Sequence, residues 1–218
     1  MILYDHILSP NCYKVRLFAS LVGVELTLRP VDIHPGRQNR MPEFLALNQA
    51  GTVPVLIDGD LVLTDSAAML VLLSARHCVR WLGTGTPEGM AAVQQGLAFA
   101  ERLNHSLGRA RAQDMLMRPS GDLAALQLAG RNDLRALEQM LSAARIRGEL
   151  FLAGSHPTIA DIACFPQTAL APDGGTTLAP YPAIRLWMRA LRSLPGFIEM
   201  PGIHRLHDLT PDPHPEPV

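Results

Sequence analysis

The stretch at residues 50–73, AGTVPVLIDGDLVLTDSAAMLVLL, decides the expected fold because it holds a proline corner, a hairpin and a helix start. Residues 55–57 and 61–63 are short apolar runs joined by Asp-Gly-Asp, which predicts a β-hairpin. Residues 64–66, Thr-Asp-Ser, predict the start of a helix, since short polar side chains satisfy free backbone N–H groups there. The stretch therefore predicts two strands followed by a helix.

The turn before this hairpin ends in Thr52, Val53 and Pro54. Proline lacks an N–H, so at a strand start it leaves the preceding backbone free to face a ligand. A cis bond between Val53 and Pro54 would make a tight, exposed corner. Asp65 and Ser66 would lie near it at the positive end of a helix, which suits a ligand with an ammonium and a carboxylate, such as an α-amino acid. Taken alone, however, either residue is better explained as a helix cap.

Composition limits the classes of protein that need to be considered. The chain has 218 residues, 48% of them hydrophobic, and a formal net charge of −1, which is typical of a soluble globular protein of one large or two ordinary domains. No basic run indicates nucleic-acid binding. Residues 1–10 lack a signal-peptide pattern and the apolar run at 67–73 is too short to span a membrane.

Cysteine and histidine usage points to a reducing compartment without a metal site. Three cysteines at scattered positions argue against a disulfide framework and for the cytoplasm: Cys12, Cys78 and Cys164. Four histidines show no metal-ligand spacing with one another or with the cysteines: His6, His34, His105 and His156.

The first third of the chain predicts the thioredoxin-like order of elements. Residues 1–4 are expected to form a strand, and a helical pattern follows Ser9 and ends at Gly23. Residues 25–31 are expected to form a second strand, and Pro30 indicates either that this strand lies at an edge of the sheet or that the proline lies near its end. A short helix at residues 42–47 then precedes the hairpin and helix. This βαβ unit followed by ββα predicts a domain over residues 1–78.

The rest of the chain has no convincing strand pattern and predicts an all-α domain at residues 88–209, after a linker at 79–87. Helical patterns occupy residues 90–116, 123–141 and 182–194. Thr158 to Asp161 resembles a capping box, and the helix that it opens is expected to kink or end at Pro166. Residues 210–218, rich in proline, are expected to form a mobile tail.

Taken together, five motifs make the chain resemble the cytosolic glutathione transferase superfamily over nearly its whole length. They are SPNCYKVRL at 9–17, GRQNRMPEFL at 36–45, GTVPVL at 51–56, LTDSAAM at 63–69 and TIAD at 158–161. The resemblance implies a homodimer that uses glutathione as co-substrate. Glutathione would bind the thioredoxin-like domain, and a small electrophile would enter a cleft against the helical domain.

The resemblance also assigns six residues to glutathione: Gln38, Thr52, Val53, Pro54, Asp65 and Ser66. Val53 would pair its backbone with the cysteinyl backbone of glutathione, and Asp65 with Ser66 would hold the γ-glutamyl ammonium and carboxylate. Gln38 falls where several classes place a residue near the glycyl carboxylate. Thr52 stands where many members have Gln, so one customary contact is missing or replaced.

Ser9 is the residue to which the resemblance gives the chemistry. A free thiol has a pKa of about 8.5, so a hydroxyl donor at a helix N-terminus would favour the thiolate and lower that pKa. Ser9 would then be a hydrogen-bond donor, while the sulfur of glutathione is the nucleophile. Asn11 would add a second donor, as in bacterial members with a Thr-Pro-Asn motif, which makes reduction of disulfides with glutathione an alternative activity.

Several other residues have competing interpretations. Cys12 stands three residues after Ser9, which is the spacing of a thioredoxin Cys-x-x-Cys motif whose first cysteine is replaced. We favour a structural role for Cys12 over thiolate tuning or formation of a mixed disulfide. Arg109 and Arg111 lie on the helix that lines the electrophile site in the family. They would favour an anionic second substrate, or equally form a solvated helix face. Asp161 is expected to be a structural cap whose loss costs about 1 kcal/mol.

Tyrosine-type chemistry is not expected. Tyr4 falls within the first strand and Tyr13 within the first turn of the helix, where packing is the simpler explanation.

Three functional hypotheses result. The leading one is a glutathione transferase in which Ser9 and Asn11 stabilise the thiolate for attack on a small hydrophobic electrophile. The second is a glutathione-dependent disulfide oxidoreductase or peroxidase, and the third is a non-catalytic binding protein with the same fold.

Overall fold

A computed structural model describes residues 1–83 and 85–200 of the chain. The predicted tail at 210–218, the end of the predicted helical domain at 201–209, and Thr84 of the predicted linker lie outside the described residues. The N-terminal domain follows the predicted order: β1 Ile2–Asp5, α1 Pro10–Leu21, β2 Thr27–Pro30, α2 Pro42–Leu47, β3 Val55–Asp58, β4 Leu61–Leu63 and α3 Ser66–His77.

The four strands form one sheet in the order β2-β1-β3-β4. β1 runs parallel to β2, and β3 runs antiparallel to β1 and β4. β2 is shorter than the predicted strand at 25–31, and it is an exposed edge strand that ends at Pro30, which lacks a donor for the ladder. These strand directions place the ends of β1, β2 and β4 and the start of β3 on the same side of the sheet. Four segments therefore meet there: the β1–α1 loop, the β2–α2 connection, the turn before β3 and the β4–α3 junction. We call this the loop edge.

The expected linker at 79–87 is largely ordered. Val79–Leu82 forms a 3-10 turn directly after α3, and α4 begins at Pro87. Trp81 is buried and packs edge-on against Phe18 of α1, with ring centroids 5.2 Å apart. This contact fixes the start of the helical domain against the thioredoxin-like domain.

The described part of the second domain is built from five α-helices: α4 Pro87–Leu103, α5 Arg109–Asp114, α6 Leu123–Ile146, α7 Ile159–Ala169 and α8 Pro182–Arg192. A π-helical segment at Asn104–Gly108 joins α4 to α5. α7 lies at the centre, and all of its residues are buried between α1 and α4. The approach of α4 is so close that a Cβ on Gly96 would stand 2.4 Å from the Cβ of Ala160.

The expectation that this helix would end at Pro166 is wrong, because α7 continues through Pro166 to Ala169. An internal proline removes one helical hydrogen bond and costs about 3 kcal/mol. Burial of every residue of α7 compensates for that loss, since tertiary packing provides most of the stability of helices in proteins.

The predicted capping box at the start of α7 is confirmed. The carboxylate of Asp161 accepts hydrogen bonds from the backbone N–H and hydroxyl of Thr158, the N–H of Leu152 and the indole of Trp187, at 2.8 to 3.1 Å. Asp161 is fully buried, so these donors replace its lost hydration.

Within residues 1–83 and 85–200, no helix is both long enough and apolar enough to cross a lipid bilayer.

Candidate functional site

The loop edge gathers the residues on which the sequence analysis concentrated. Tyr4 near the end of β1 pairs with Val55 at the start of β3, and Leu56 pairs with Leu63 at the end of β4. The loop carrying Ser9, the proline corner and the start of α3 therefore leave the sheet on the same side. The N-termini of α1 and α3 meet there too, and each presents a partial positive charge.

Ser9 is the N-cap residue of α1. Its Oγ accepts a hydrogen bond from the N–H of Cys12 at 3.2 Å, and a hydroxyl that accepts one hydrogen bond can still donate its own proton. Asn11 is half-buried in the first turn, and its side chain has no hydrogen-bond partner among the described residues. The start of α1 thus offers two side-chain donors beside the positive end of a helix.

The corner before β3 contains a cis bond between Val53 and Pro54. Asn48 holds the preceding residue in place, because its amide donates to the carbonyl and the hydroxyl of Thr52 at 2.8 and 2.9 Å. The β1–β3 ladder begins only at Val55, so the backbone groups of Val53 lie outside it. A backbone held in this way is suited to pairing with an extended peptide.

Asp65 is the N-cap of α3, and Ser66 is the first residue of that helix. One carboxylate oxygen of Asp65 accepts the N–H of Ala68 at 2.8 Å, while the side chain remains exposed. The capping and ligand-binding interpretations of Asp65 are therefore compatible, since capping occupies one of its two oxygens.

Gln38 lies in a 3-10 turn of the β2–α2 connection, at the loop edge. Its side-chain carbonyl already accepts the N–H of Asp32 at 2.7 Å, so its NH₂ group is the part that is left for a ligand. Asn39 ties the same turn to the proline corner by donating to the carbonyl of Gly51 at 2.8 Å.

Comparison with known proteins agrees with this arrangement. The N-terminal domain profile of the glutathione S-transferases matches residues 8–76, and their C-terminal domain profile matches residues 122–190. Glutathione S-transferase 2 of Anopheles gambiae is 30% identical over 86% of this chain and 88% of its own. The chain belongs to the glutathione S-transferase family. The predicted fold, a thioredoxin-like domain followed by a helical domain, is confirmed.

Two further proteins are similar to the same degree. The crystal structure of a glutathione S-transferase from Pseudomonas fluorescens superposes with a TM-score of 0.82 at 30% identity, covering 91% of this chain and 98% of that one. A maleylacetoacetate isomerase of Pseudomonas aeruginosa is also 30% identical, over 85% of this chain and 88% of its own.

Cys12 has the environment of a structural residue in this family member. It is fully buried in α1, and its sulfur accepts the N–H of His6 at 3.4 Å. Burial raises the pKa of the Cys12 thiol to about 12. A thiolate at this position is therefore unfavourable, which supports the structural interpretation over the mixed disulfide.

Tyr4 and Tyr13 are used for packing, as the sequence predicted. The hydroxyl of Tyr13 donates to the carbonyl of Ile198 at 2.7 Å, and burial raises the pKa of this phenol. The ring of Tyr4 packs edge-on against Phe44. The hydroxyl proton of Tyr13 is therefore committed to the backbone, while Tyr4 accepts a hydrogen bond from Arg29 at 3.0 Å.

The two arginines of α5 have different environments. Arg109 is exposed, and its guanidinium donates to the carbonyl of Ser120. Arg111 is neither on a solvated face nor open to a second substrate, because its side chain is 2% exposed and paired with Asp173. For Arg111, both the contact with an anionic substrate and the position on a solvated helix face were therefore wrong expectations. Asp173 lies 62 residues further along the chain, so no local pattern indicated the pairing.

Lys14 is a buried charge that the sequence analysis missed. It lies in α1 with 4% of its surface exposed, and burial lowers the pKa of its ammonium. The negative charges of Glu101 and Asp65 act in the opposite direction and favour the protonated form. Lys14 lies four residues before the buried Phe18, so both side chains are on the same face of α1. This spacing is the sequence pattern from which the burial of Lys14 could have been predicted.

We expect the substitution Lys14→Met to raise the free energy of unfolding at neutral pH by about 1 kcal/mol, since a buried charge is often replaced by an apolar side chain with a gain. Because the folded pKa lies below the unfolded value, the wild-type protein should gain stability as pH rises between those two values. Urea unfolding at several pH values should show this rise in the wild type and its loss in Lys14→Met. Equal slopes in the two proteins would contradict the assignment.

No three His, Cys, Asp or Glu side chains of the described residues are grouped so that they could hold a metal ion.

Proposed function

We propose that this protein is a glutathione transferase of the serine/asparagine-motif type, with glutathione bound along the loop edge. The observation that carries this proposal is the meeting of two helix N-termini, a cis-proline corner and the hydroxyl of Ser9 at one edge of the sheet. Its relatives named glutathione S-transferases, at 30% identity over most of the chain, support the same conclusion.

The chemistry follows from the charge of the thiolate. At neutral pH a thiol with a pKa near 8.5 is mostly protonated, so a site that binds the anion more strongly increases the nucleophilic fraction. Ser9 and Asn11 would donate hydrogen bonds to the sulfur, and the N-terminus of α1 would add a favourable dipole. The thiol proton leaves to solvent, a bond forms between the sulfur and the electrophilic carbon, and any leaving group departs with its electron pair.

Binding of glutathione would use the remaining residues of the loop edge. Asp65 would pair with the γ-glutamyl ammonium while the first turn of α3, with Ser66, holds the carboxylate. Val53 would pair with the cysteinyl backbone, and the free NH₂ of Gln38 would reach the glycyl carboxylate. Thr52 would contribute its backbone N–H or the proton of its hydroxyl, since both of its oxygens already accept from Asn48.

The second substrate would be a small hydrophobic electrophile in the cleft between the Ser9 loop and the helical domain. Of the two arginines, only Arg109 is exposed and could meet an anionic group on that substrate. A glutathione-dependent disulfide oxidoreductase or peroxidase is the alternative, but the buried Cys12 makes a route through a protein mixed disulfide unfavourable.

We also propose a cytoplasmic homodimer. Leu61 and Val62 of the edge strand β4, with Val71 of α3, are exposed apolar side chains that a second copy would cover. The three cysteines are all free, in agreement with a reducing compartment.

The proposal is tested by titrating the purified protein with glutathione and following ultraviolet absorption of the bound thiolate across pH. We expect saturable binding and a thiol pKa well below the free value of about 8.5. Binding without a change in pKa would indicate a non-catalytic glutathione-binding protein. No binding would overturn the proposal.

The substitution Asp65→Asn should weaken glutathione binding by about tenfold to a hundredfold, the effect of losing one charge-assisted hydrogen bond. Asn remains a good helix cap, so α3 should stay intact. Isothermal titration calorimetry measures the change. Asp60→Asn is the matched control, because Asp60 lies in the β3–β4 turn, at the ends of the strands away from the loop edge. Equal affinities for the wild type and Asp65→Asn would contradict the assigned site.

A further inference from the structure

We propose that Arg111 is a positioning residue that fixes the Ser9 loop against the helical domain. Its effect on catalysis rests on the proposed function, whereas its effect on the loop does not. The guanidinium of Arg111 donates from Nη1 to the carbonyl of Leu8 at 3.1 Å, across 103 residues of sequence. Leu8 directly precedes Ser9, so a residue of α5 holds the segment from which the thiolate donor projects.

The hydrogen bond from Arg111 holds one end of the peptide group between Leu8 and Ser9, whose other end is already bonded. The carbonyl of Leu8 and the N–H of Ser9 belong to the same planar group. The N–H donates to the carbonyl of His6 at 2.9 Å, and the carbonyl accepts from Arg111. With both ends held, the plane cannot rotate without breaking a hydrogen bond. The direction in which the Ser9 side chain leaves the backbone is therefore fixed from both domains.

Arg111 is itself held from behind by Asp173. Its Nε donates to a carboxylate oxygen of Asp173 at 3.1 Å, and both side chains are largely buried. Asp173 lies in the 3-10 turn Ala171–Gly174 that follows α7. That turn packs so tightly on α5 that a Cβ on Gly174 would stand 2.8 Å from the backbone nitrogen of Arg111. Gln127 of α6 also donates to the carbonyl of Gly174 at 3.0 Å.

Stability alone does not account for an arginine in this place. The side chain is 2% exposed, and its Nη2 atom has no hydrogen-bond partner among the described residues. Burying a charged group with an unsatisfied donor is unfavourable, and an apolar side chain of similar volume is often the more stable choice. What only arginine provides is a rigid planar group that bonds Asp173 and Leu8 at once.

The variants Arg111→Lys and Asp173→Asn test this inference. A lysine keeps the charge but presents one ammonium, which cannot reproduce the planar fork. Hydrogen exchange of the ligand-free protein, followed by mass spectrometry, should show exchange in peptides covering residues 6–12 rising by about tenfold or more relative to peptides covering β3. The β3 peptides serve as the internal reference for global unfolding. The control Arg102→Met breaks the ion pair with Asp133 inside the helical domain and should leave both sets unchanged.

The catalytic consequence is measured on the same variants. The pKa of bound glutathione should rise and kcat with chlorodinitrobenzene should fall about tenfold, while the dissociation constant of glutathione changes by less than about threefold. A merely structural role would not move the pKa of the thiol.

The two proposals can fail separately. Loop exchange equal to that of the wild type in both variants would overturn the positioning role, whatever the activity. A wild-type protein that leaves the pKa of glutathione unchanged would instead overturn the proposed function, and the exchange data would still decide the role of Arg111.

Discussion

Replacing Asp161 by alanine should lower the free energy of unfolding by about 3–5 kcal/mol, because it leaves several buried donors without an acceptor. The carboxylate accepts four hydrogen bonds that join the start of α7 to Leu152 and to the indole of Trp187 on α8. Without it, the N–H groups of Thr158 and Trp187 would be buried and unpaired, and the N–H of the half-buried Leu152 would lose its partner. Urea denaturation followed by far-ultraviolet circular dichroism measures the loss.

Asp122→Ala is the matched control for this prediction. Asp122 is the N-cap of α6, but it is exposed and accepts a single hydrogen bond, from the N–H of Ala124 at 2.9 Å. Its loss should cost about 1 kcal/mol, as for an ordinary cap. Asp161→Asn, which keeps one acceptor, should fall between the two. Equal losses for Asp161→Ala and Asp122→Ala would mean that Asp161 acts only as a cap.

The difference between these two caps shows what the sequence could predict. The motif Thr-Ile-Ala-Asp at residues 158–161 indicated a capping box, and local spacing is sufficient to identify one. The magnitude depends on Trp187, which lies 26 residues further along the chain and is brought to Asp161 by packing of α8. Local pattern therefore predicted the cap but not the contact with Trp187, from which the larger loss of stability is expected.

The fold shows the same difference between features set by local sequence and features set by long-range packing. The hairpin at residues 55–63 and the helix start at Asp65 depend on turn residues and short polar caps, and the structure has them where the sequence predicted. The alternative that the helix ends at Pro166 is wrong because proline propensity is local, whereas α7 is held by contacts with neighbouring elements. Propensity gives way to tertiary packing at such positions.

The residues of the candidate site also fall into two groups, those in local motifs and those whose environment depends on distant parts of the chain. Ser9, Pro54 and Asp65 belong to short motifs next to predicted strand ends, so sequence reasoning could place them at one edge. Lys14 and Arg111 become notable only when distant elements bury them. For Arg111, the carbonyl that it holds and the carboxylate that holds it are 103 and 62 residues away.

The substitution Ser9→Ala should raise the pKa of bound glutathione and lower kcat by about tenfold to a hundredfold at about pH 6.5, the effect expected on removing one donor to a developing or bound anion. The sign follows from the thiolate fraction. Below the thiol pKa this fraction falls about tenfold for each unit by which the pKa rises. Above about pH 9 both proteins would bind glutathione as thiolate, so the two rates should converge.

The pH–rate profile separates this effect from a loss of structure. Ser9→Ala also removes the acceptor for the N–H of Cys12, which should cost about 1 kcal/mol of stability at any pH. Ser9→Thr keeps both the hydroxyl and the cap and should retain most activity. Ser20→Ala makes the same change at the other end of α1, where the hydroxyl donates to Gly196 at 2.7 Å, and should leave the profile unaltered.

Each outcome assigns the thiolate donor. A profile displaced to higher pH in Ser9→Ala, with glutathione affinity nearly unchanged, identifies Ser9 as the donor. An unaltered profile would transfer that role to Asn11, whose amide is the other free donor in the first turn of α1, and Asn11→Ala should then show the displacement. The buried Cys12 cannot substitute for either, since its side chain is fully buried in α1 and is not accessible to a bound ligand.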